Sequence, residues 1–443
     1  MTHGTIQQRP GSFPEESVGW GGGTVRDQIQ APLNTQETKR IPSQRRSGVS
    51  GTSRPIKVCF ISPLGHGLYQ PDSGSAFGGA EVQFFLLSRE LAMDQAFHVS
   101  VLTTVGERPG AEQHGRLTVV KRQARGRLSV KPYPEGPGTF GVWRGYAAAF
   151  WDMWKVLRDI GADCYLHAGA GVEVGAYALI CRLLRRRFIY VVASSVDLTH
   201  PNGKVKGPLR WLYPMGLRLS DAVVCRSYEQ QASLRARYGL EGVLIRTGHQ
   251  LPTPYPGTRK REEQSAILWV GRIHPVKQPE MFLDLAERFP NEHCVIIAMP
   301  DSSHEDLWRH VQRRAATLPN VTLYERIPWE SINSHFKQAK LFLNTSRHEG
   351  FPNTFVQAAV HGIPILSWTV DPDGVLSREG IGMCAEGSFE RLATSVLQGC
   401  ASPSQLAEMG RRAEAYARRE HDLNRSTEKL KHLVRSLTTG RIW

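Results

Sequence analysis

Three short stretches of this chain carry residue types suited to holding a phosphorylated ligand. In the first, Gly271-Arg272 ends the apolar run Ala266–Val270, and Lys277 follows ahead of a helical pattern. A planar arginine fork and a mobile lysine charge at a strand end suit a diphosphate, although each also suits a solvated loop. The second stretch, residues 344–367 (NTSRHEGFPNTFVQAAVHGIPILS), reads strand, loop, helix, glycine stop, strand. Pro352 falls near the first helical position, and Gly362 with Pro364 falls just past the last. The amides around Asn353 and Thr354, together with the helix dipole, then make an anion site. Glu349 lies in the loop before them, where a carboxylate is better explained as an acceptor for sugar hydroxyls than as a neighbour of phosphate. The third stretch is Ser75–Glu81 (SAFGGAE), in which Gly78-Gly79 opens a helix. Paired glycines let a ligand approach the backbone, and they equally suit a plain turn. The spacing is not G-x-G-x-x-G, so no dinucleotide fingerprint is supported.

These stretches need strands and helices to aim them, and the sequence alternates accordingly. Residues 1–55 are rich in Gly, Ser, Pro, Gln and Arg without apolar period and read as a disordered tail. From Lys57–Ser62 the pattern runs strand, glycine-rich loop, helix (Ala80–Met93), strand (His98–Thr103), the start of a βαβ unit. Alternation continues through Gly242–Arg246, which gives an N-terminal domain over 56–248. Residues 249–264, proline-rich and charged, read as a linker. The rhythm restarts with the strand Ala266–Val270 and closes a second domain over 265–402. Residues 403–443 read as a helical segment with a kink near His421. The fold class is therefore α/β, two Rossmann-like doubly wound domains facing a cleft, with a C-terminal helix. In open α/β sheets, ligands lie beyond the carboxyl ends of the strands.

Taken together, Gly78-Gly79-Ala80-Glu81, Gly271-Arg272 with Lys277, and Glu349-Gly350-Phe351 followed by a helix resemble the retaining glycosyltransferases of family 4. These have the GT-B fold and include bacterial polysaccharide glycosyltransferases. The resemblance covers about residues 56–435. It implies a UDP- or GDP-sugar donor bound mainly by the second domain, with Arg272 and Lys277 on the diphosphate and Glu349 on the transferred sugar. Gly271 and the backbone of Gly350, Phe351, Asn353 and Thr354 would touch sugar or phosphate, and Gly78 and Gly79 would face the donor from across the cleft. No cofactor and no metal are expected, the cations and helix amides supplying charge neutralisation. Two departures stand out. The family's second glutamate, on the ribose diol, is here Gln357, which accepts one hydroxyl bond and donates another. The family's histidine after the strand matching Tyr190–Ala193 is absent; Asp197 or Ser195 replaces it, with His200 as a weaker substitute. The implied catalytic set is thus Glu349, Arg272, Lys277 and Asp197.

Composition bounds the partners. In 443 residues, hydrophobic types make up 40% and charged types 22%, which excludes a disordered chain or a disulfide miniprotein. No apolar run reaches the ~18–20 residues of a membrane span, and residues 1–17 have no apolar signal region. The seven cysteines include no C-x-x-C pair and read as reduced thiols of a cytoplasmic protein. The net charge of +14 is uneven: +9 lies in residues 56–250 and −2 in residues 251–399. That excess suggests an anionic partner facing the first domain, or a merely basic surface. The expected acceptor is a polyprenyl-diphosphate-linked glycan in extracellular or cell-envelope polysaccharide assembly. Arg185–Arg187 would touch an anionic membrane surface at the inner face of the plasma membrane, though such cations also suit an ordinary helix end. A nucleotide-sugar epimerase or phosphorylase on the same fold is the enzymatic alternative. Nucleic-acid binding is disfavoured because no reading module is present.

Overall fold

The computed structural model describes residues 54–70, 77–105, 109–123, 139–199, 201, 205, 209–252 and 264–440. The tail expected over 1–55 lies outside the described residues except for Arg54 and Pro55, as do His200 and residues 253–263 of the expected linker.

The first domain is built on one sheet with strands β1 (Ile56–Ile61), β2 (Phe97–Val105), β3 (Gly110–His114), β4 (Leu117–Gln123), β5 (Cys164–Ala168), β6 (Arg187–Val191), β7 (Ala222–Cys225) and β8 (Gly242–Leu244). Their spatial order is β3-β4-β2-β1-β5-β6-β7-β8, parallel throughout except for the antiparallel β3–β4 hairpin. The second sheet holds β9 (Ala266–Arg272), β10 (Cys294–Met299), β11 (Val321–Glu325), β12 (Ala339–Asn344), β13 (Ile365–Ser367) and β14 (Gly382–Cys384). It is all parallel, in the order β11-β10-β9-β12-β13-β14. Two mostly parallel sheets are what the alternation predicts, and they are those of the GT-B fold that the resemblance implies.

The central strands read as near-continuous apolar runs because helices cover both of their faces. In β1, Val58 and Phe60 join one core with Phe84, Val99 and Leu166, whereas Cys59 and Ile61 join the other with Tyr165, Phe188 and Tyr190. In the second sheet, Leu268 faces Phe342 and Phe355, and Ile267 and Trp269 face Phe282 and Trp308.

The C-terminal segment forms two helices, Pro403–Glu420 and Leu423–Thr439, with the break at His421. The first buries Ala413, Tyr416 and Ala417 in the second domain, and the next buries Leu430, Leu433 and Val434 in the first. The chain therefore crosses between the domains twice. The two crossings are tied together: the His249 amide donates to the His421 carbonyl at 2.8 Å, and the Leu423 amide donates to the His249 carbonyl at 3.1 Å. The β3–β4 hairpin and this return to the first domain are features that the sequence pattern does not announce.

Candidate active site

The strand ends place the cleft. Phe77, Gly78, Gly79 and Val82 of the first domain face the second across a cleft of about 930 Å³ that is open to solvent. Its second-domain wall contains Gly271, Arg272, Lys277, Glu349, Asn353, Thr354 and Gln357. All nine of the expected residues that line it come from the ends of β9 and β12 or from the helices Gly79–Ala92 and Asn353–Val360 and their approaches.

Gly271 is the next-to-last residue of β9, beside the indole of Trp269, where a Cβ would stand 3.0 Å from Cη2. The Trp269 Nε1 donates to Thr345 Oγ1 at 2.9 Å, and that hydroxyl donates to the Lys277 carbonyl at 2.7 Å. A buried indole thus fixes the turn that carries Lys277. The Lys277 Nζ lies 2.7 Å from Glu349 Oε2. On the other oxygen, Glu349 accepts from Ser346 Oγ at 2.7 Å and Asn344 Nδ2 at 3.0 Å. Burial pushes the Glu349 carboxyl up, but Lys277 and these hydrogen bonds outweigh it, so its pKa falls below the ordinary glutamate value. Arg272 Nη1 stands 3.6 Å from Asp301 Oδ2. Neither cation is a solvated surface charge; each is held against a carboxylate and still opens on the cleft.

The two domains also touch at the cleft. Asn353 Nδ2 donates to the Gly79 carbonyl at 2.6 Å, and the Phe77 amide points to Met299 Sδ at 3.3 Å. At Gly79 a Cβ would sit 2.9 Å from Asn353 Nδ2, so the paired glycines here serve close approach between domains. The Gly78 amide donates to Glu81 Oε2 at 2.9 Å, which steadies the start of that helix. Gln357 is 1% exposed, and its Nε2 has no hydrogen-bond partner among the described residues. A buried carboxamide donor on a cleft wall is poised for a ligand oxygen.

Three expected residues lie elsewhere. Phe351 is buried in the second-domain core, its ring centroid 4.6 Å from that of His421. Gly350 is where the loop passes the end of β6: a Cβ there would stand 2.6 Å from the Ala193 carbonyl oxygen. Asp197 does not line the cleft. Fully buried, it accepts the amides of Ala193 and Ser194 at 3.1 and 2.9 Å and so organises the loop after β6. Ser195 begins the short helix Ser195–Thr199.

The apolar side of the cleft is not among the residues expected from the sequence. It is formed by Val270, Ile297, Met299, Ile327, Trp329 and Ile332, with Arg326 beside them. Met299 and Arg326 sit at or just past the carboxyl ends of β10 and β11, so the strand-end rule is a signal for both.

Sequence models of two families match this chain. The one described as Glycosyltransferase Family 4 matches residues 77–249, and the one described as Glycosyl transferases group 1 matches residues 264–401. The chain is a family 4 glycosyltransferase. As a member of that family it is 23% identical over 410 residues to D-inositol 3-phosphate glycosyltransferase 2 of Catenulispora acidiphila, covering 83% of this chain and 92% of the relative. The chain spans about half the length, 49%, of the D-inositol 3-phosphate glycosyltransferase of Geodermatophilus obscurus, at 22% identity over 45% of its own length. Among solved structures, sucrose-phosphate synthase from Thermosynechococcus elongatus shares the fold of this glycosyltransferase with a TM-score of 0.69 at 17% identity, covering 87% of this chain and all (100%) of that one. An Anabaena protein solved with UDP and glucose does so with a TM-score of 0.61 at 15% identity, covering 86% and 100%.

Proposed function

We propose that this glycosyltransferase moves a sugar from a nucleotide-sugar donor to a hydroxyl acceptor with retention of anomeric configuration. The observation that carries the reading is the gathering of Arg272, Lys277, Glu349 and Gln357 on one wall of an interdomain cleft whose opposite wall is Gly78-Gly79. Arg272 and Lys277 hold the donor diphosphate, the first amides of the helix Asn353–Val360 face it, and Glu349 accepts from the sugar hydroxyls. Gln357 meets the ribose, and the wall of Ile327, Trp329 and Ile332 takes the base. A UDP-sugar suits the likeness in fold to the protein solved with UDP and glucose.

Among the described residues lining the cleft, Glu349 is the one carboxylate, and it is engaged by Lys277, Ser346 and Asn344. That leaves no poised covalent nucleophile, so a front-face route is favoured. The bond between the anomeric carbon and the diphosphate oxygen breaks, and the acceptor oxygen bonds to that carbon on the same face. The acceptor proton passes to the departing phosphate oxygen. Arg272 and Lys277 stabilise the negative charge growing on the diphosphate, and preorganised electrostatic stabilisation of this kind is usually the main source of an enzyme's rate enhancement. With that charge met by two cations, we propose that transfer survives a metal chelator.

The acceptor class we propose is a phosphorylated hydroxyl compound, in keeping with the +9 charge of residues 56–250. The relatives' names carry a phosphorylated polyol. A polyprenyl-diphosphate-linked glycan at a cytoplasmic membrane face is the narrower member of that class. No helix among the described residues is long and apolar enough to cross a membrane. A binding screen over UDP-, GDP-, ADP- and TDP-sugars, followed by mass analysis of transfer to soluble sugar phosphates, polyol phosphates and lipid-linked diphosphates, tests this. Binding of no nucleotide sugar would overturn the reading, and transfer to uncharged acceptors alone would overturn the acceptor class.

A further inference from the structure

The amino edge of the first sheet carries a second concentration of charge, behind the cleft. The helix Glu173–Leu183 ends in a turn closed by the Arg186 amide on the Cys181 carbonyl at 2.7 Å and the Arg185 amide on the Arg182 carbonyl at 3.1 Å. The left-handed position of such a turn is normally a glycine. Here it is Arg185, at φ 55°. Arg187 then begins β6. Arg182, Arg185, Arg186 and Arg187 surround a pocket of about 550 Å³, closed by Ala178, Leu219 and Asp221.

The charges there are not balanced. Asp163 accepts from Arg186 at 3.0 Å, from Arg54 at 2.9 Å and from the Lys57 amide at 2.9 Å. Asp221 accepts from Arg187 at 2.7 Å and from the Phe188 amide at 2.9 Å. Both carboxylates are thus used in tying strand ends together. Arg182 and Arg185 have no carboxylate partner among the described residues. Across β6, five residues long, the pocket is separated from the carboxyl edge by about 16 Å, so one ligand phosphate cannot serve both sites.

We propose that this pocket is a second anion site, distinct from the donor cleft, that takes a pair of closely spaced phosphoryl groups. Four guanidinium forks in one pocket match several phosphoryl oxygens at once. Among the described residues lining the pocket there is no aromatic ring on which a base would stack, so recognition is of the phosphoryl part alone. A soluble diphosphate and a diphosphate-bearing lipid headgroup share that chemistry.

Inorganic pyrophosphate titrated calorimetrically into the full chain at low and physiological salt tests the site. The parent is compared with Arg182→Gln/Arg185→Gln, and with Arg272→Gln/Lys277→Gln, which disables the cleft. The Arg182/Arg185 pair is exposed and unpaired, so its replacement leaves the fold and UDP binding intact, and UDP binding serves as the control. We expect Arg272→Gln/Lys277→Gln to keep one pyrophosphate site that Arg182→Gln/Arg185→Gln weakens by about tenfold or more, the more so at low salt. Flotation with phosphatidylcholine vesicles containing a polyprenyl diphosphate then separates the sources. Flotation of the parent but not of Arg182→Gln/Arg185→Gln supports a lipid headgroup, and pyrophosphate binding without flotation supports a soluble ligand. Equal pyrophosphate affinity in the parent and Arg182→Gln/Arg185→Gln, or loss of all binding in Arg272→Gln/Lys277→Gln, would overturn the proposal. Loss of UDP binding in every form would instead indict the reading of the cleft.

Discussion

Lys277→Met removes the cation from its contact with Glu349 and, in the function proposed above, from the donor diphosphate. The Lys277 and Glu349 side chains are 26% and 15% exposed and meet at 2.7 Å. Exposed pairs contribute about 0–1 kcal/mol, and breaking a buried one costs about 3–5 kcal/mol. This half-sheltered pair, with Ser346 and Asn344 still bonded to Glu349, falls between, at about 2 kcal/mol of lost stability at neutral pH. The sign with pH follows from Glu349. In the parent its folded pKa is depressed, so its stabilising contribution is full above the ordinary glutamate range and is lost as pH falls through the folded value. Without Lys277, burial dominates and Glu349 protonates more readily, so the difference between parent and Lys277→Met narrows in acid. The kinetic effect is separate: charge grows on the leaving diphosphate, and a missing cation weakens the transition state by about 2–4 kcal/mol, or roughly 30- to 1000-fold in kcat/KM for the donor. Urea denaturation at neutral and acid pH gives the first quantity, and steady-state donor kinetics the second. A cycle with Glu349→Gln isolates the pair, for which we expect a coupling of about 1–3 kcal/mol. A Lys277→Met enzyme within twofold of the parent, with additive stability effects, would refute the roles given to both residues.

The other expectations concern how the cleft is held and how the fold responds to acid. Asp373, 3% exposed at its side chain, accepts from Arg246 at 3.2 Å and from the Tyr228 and Glu229 amides at 3.2 and 2.9 Å, clamping one domain to the other. Asp373→Ala should lower unfolding free energy by about 1–3 kcal/mol, because it removes one of the two carboxylates on Arg246, leaving Glu420 at 3.1 Å, and unpairs the two amides; a midpoint unchanged in urea would remove the clamp. Gly350→Ala drives a methyl against the Ala193 carbonyl and should destabilise by about 1–3 kcal/mol, with donor turnover falling more than free UDP affinity; a silent substitution would mean that the loop has room. Burial pushes His421 down to about 3 and His167 down to about 4. Their neutral forms stabilise the fold fully above the ordinary histidine value near 6.5, and that contribution is lost progressively as pH falls toward 4 and 3. Melting temperature should therefore drop between pH 6.5 and 4, less steeply in His421→Asn, and identical slopes would contradict the burial argument.

How much is legible in the sequence depends on locality. The strands and the residues at their ends are readable because a parallel sheet imposes apolar runs, and Arg272 and Glu349 lie on or shortly after such runs. The helix starting at Asn353 is readable from Pro352 and Gly362. Contacts made at a distance are not. Nothing local announces that Lys277 closes on Glu349, that Asn353 reaches Gly79, or that Gly350 lets the loop pass Ala193. Asp197 stands out by its position after a strand, yet its carboxylate is spent on its own loop. The C-terminal segment reads as helical, but no local pattern says which domain the helix Leu423–Thr439 covers. Trp329 and Ile332 look like ordinary core spacing, because an apolar cleft wall and a core face have the same pattern.

The central claim is retaining transfer from a nucleotide sugar held in this cleft. Its most direct measurement is proton NMR of the sugar released or transferred from the donor that binds in the screen, recorded before mutarotation, with Arg272→Gln/Lys277→Gln alongside. We expect the first product to carry the donor's own anomeric configuration and to vanish in the double variant. A first product of inverted configuration, or undiminished turnover in the double variant, would contradict it.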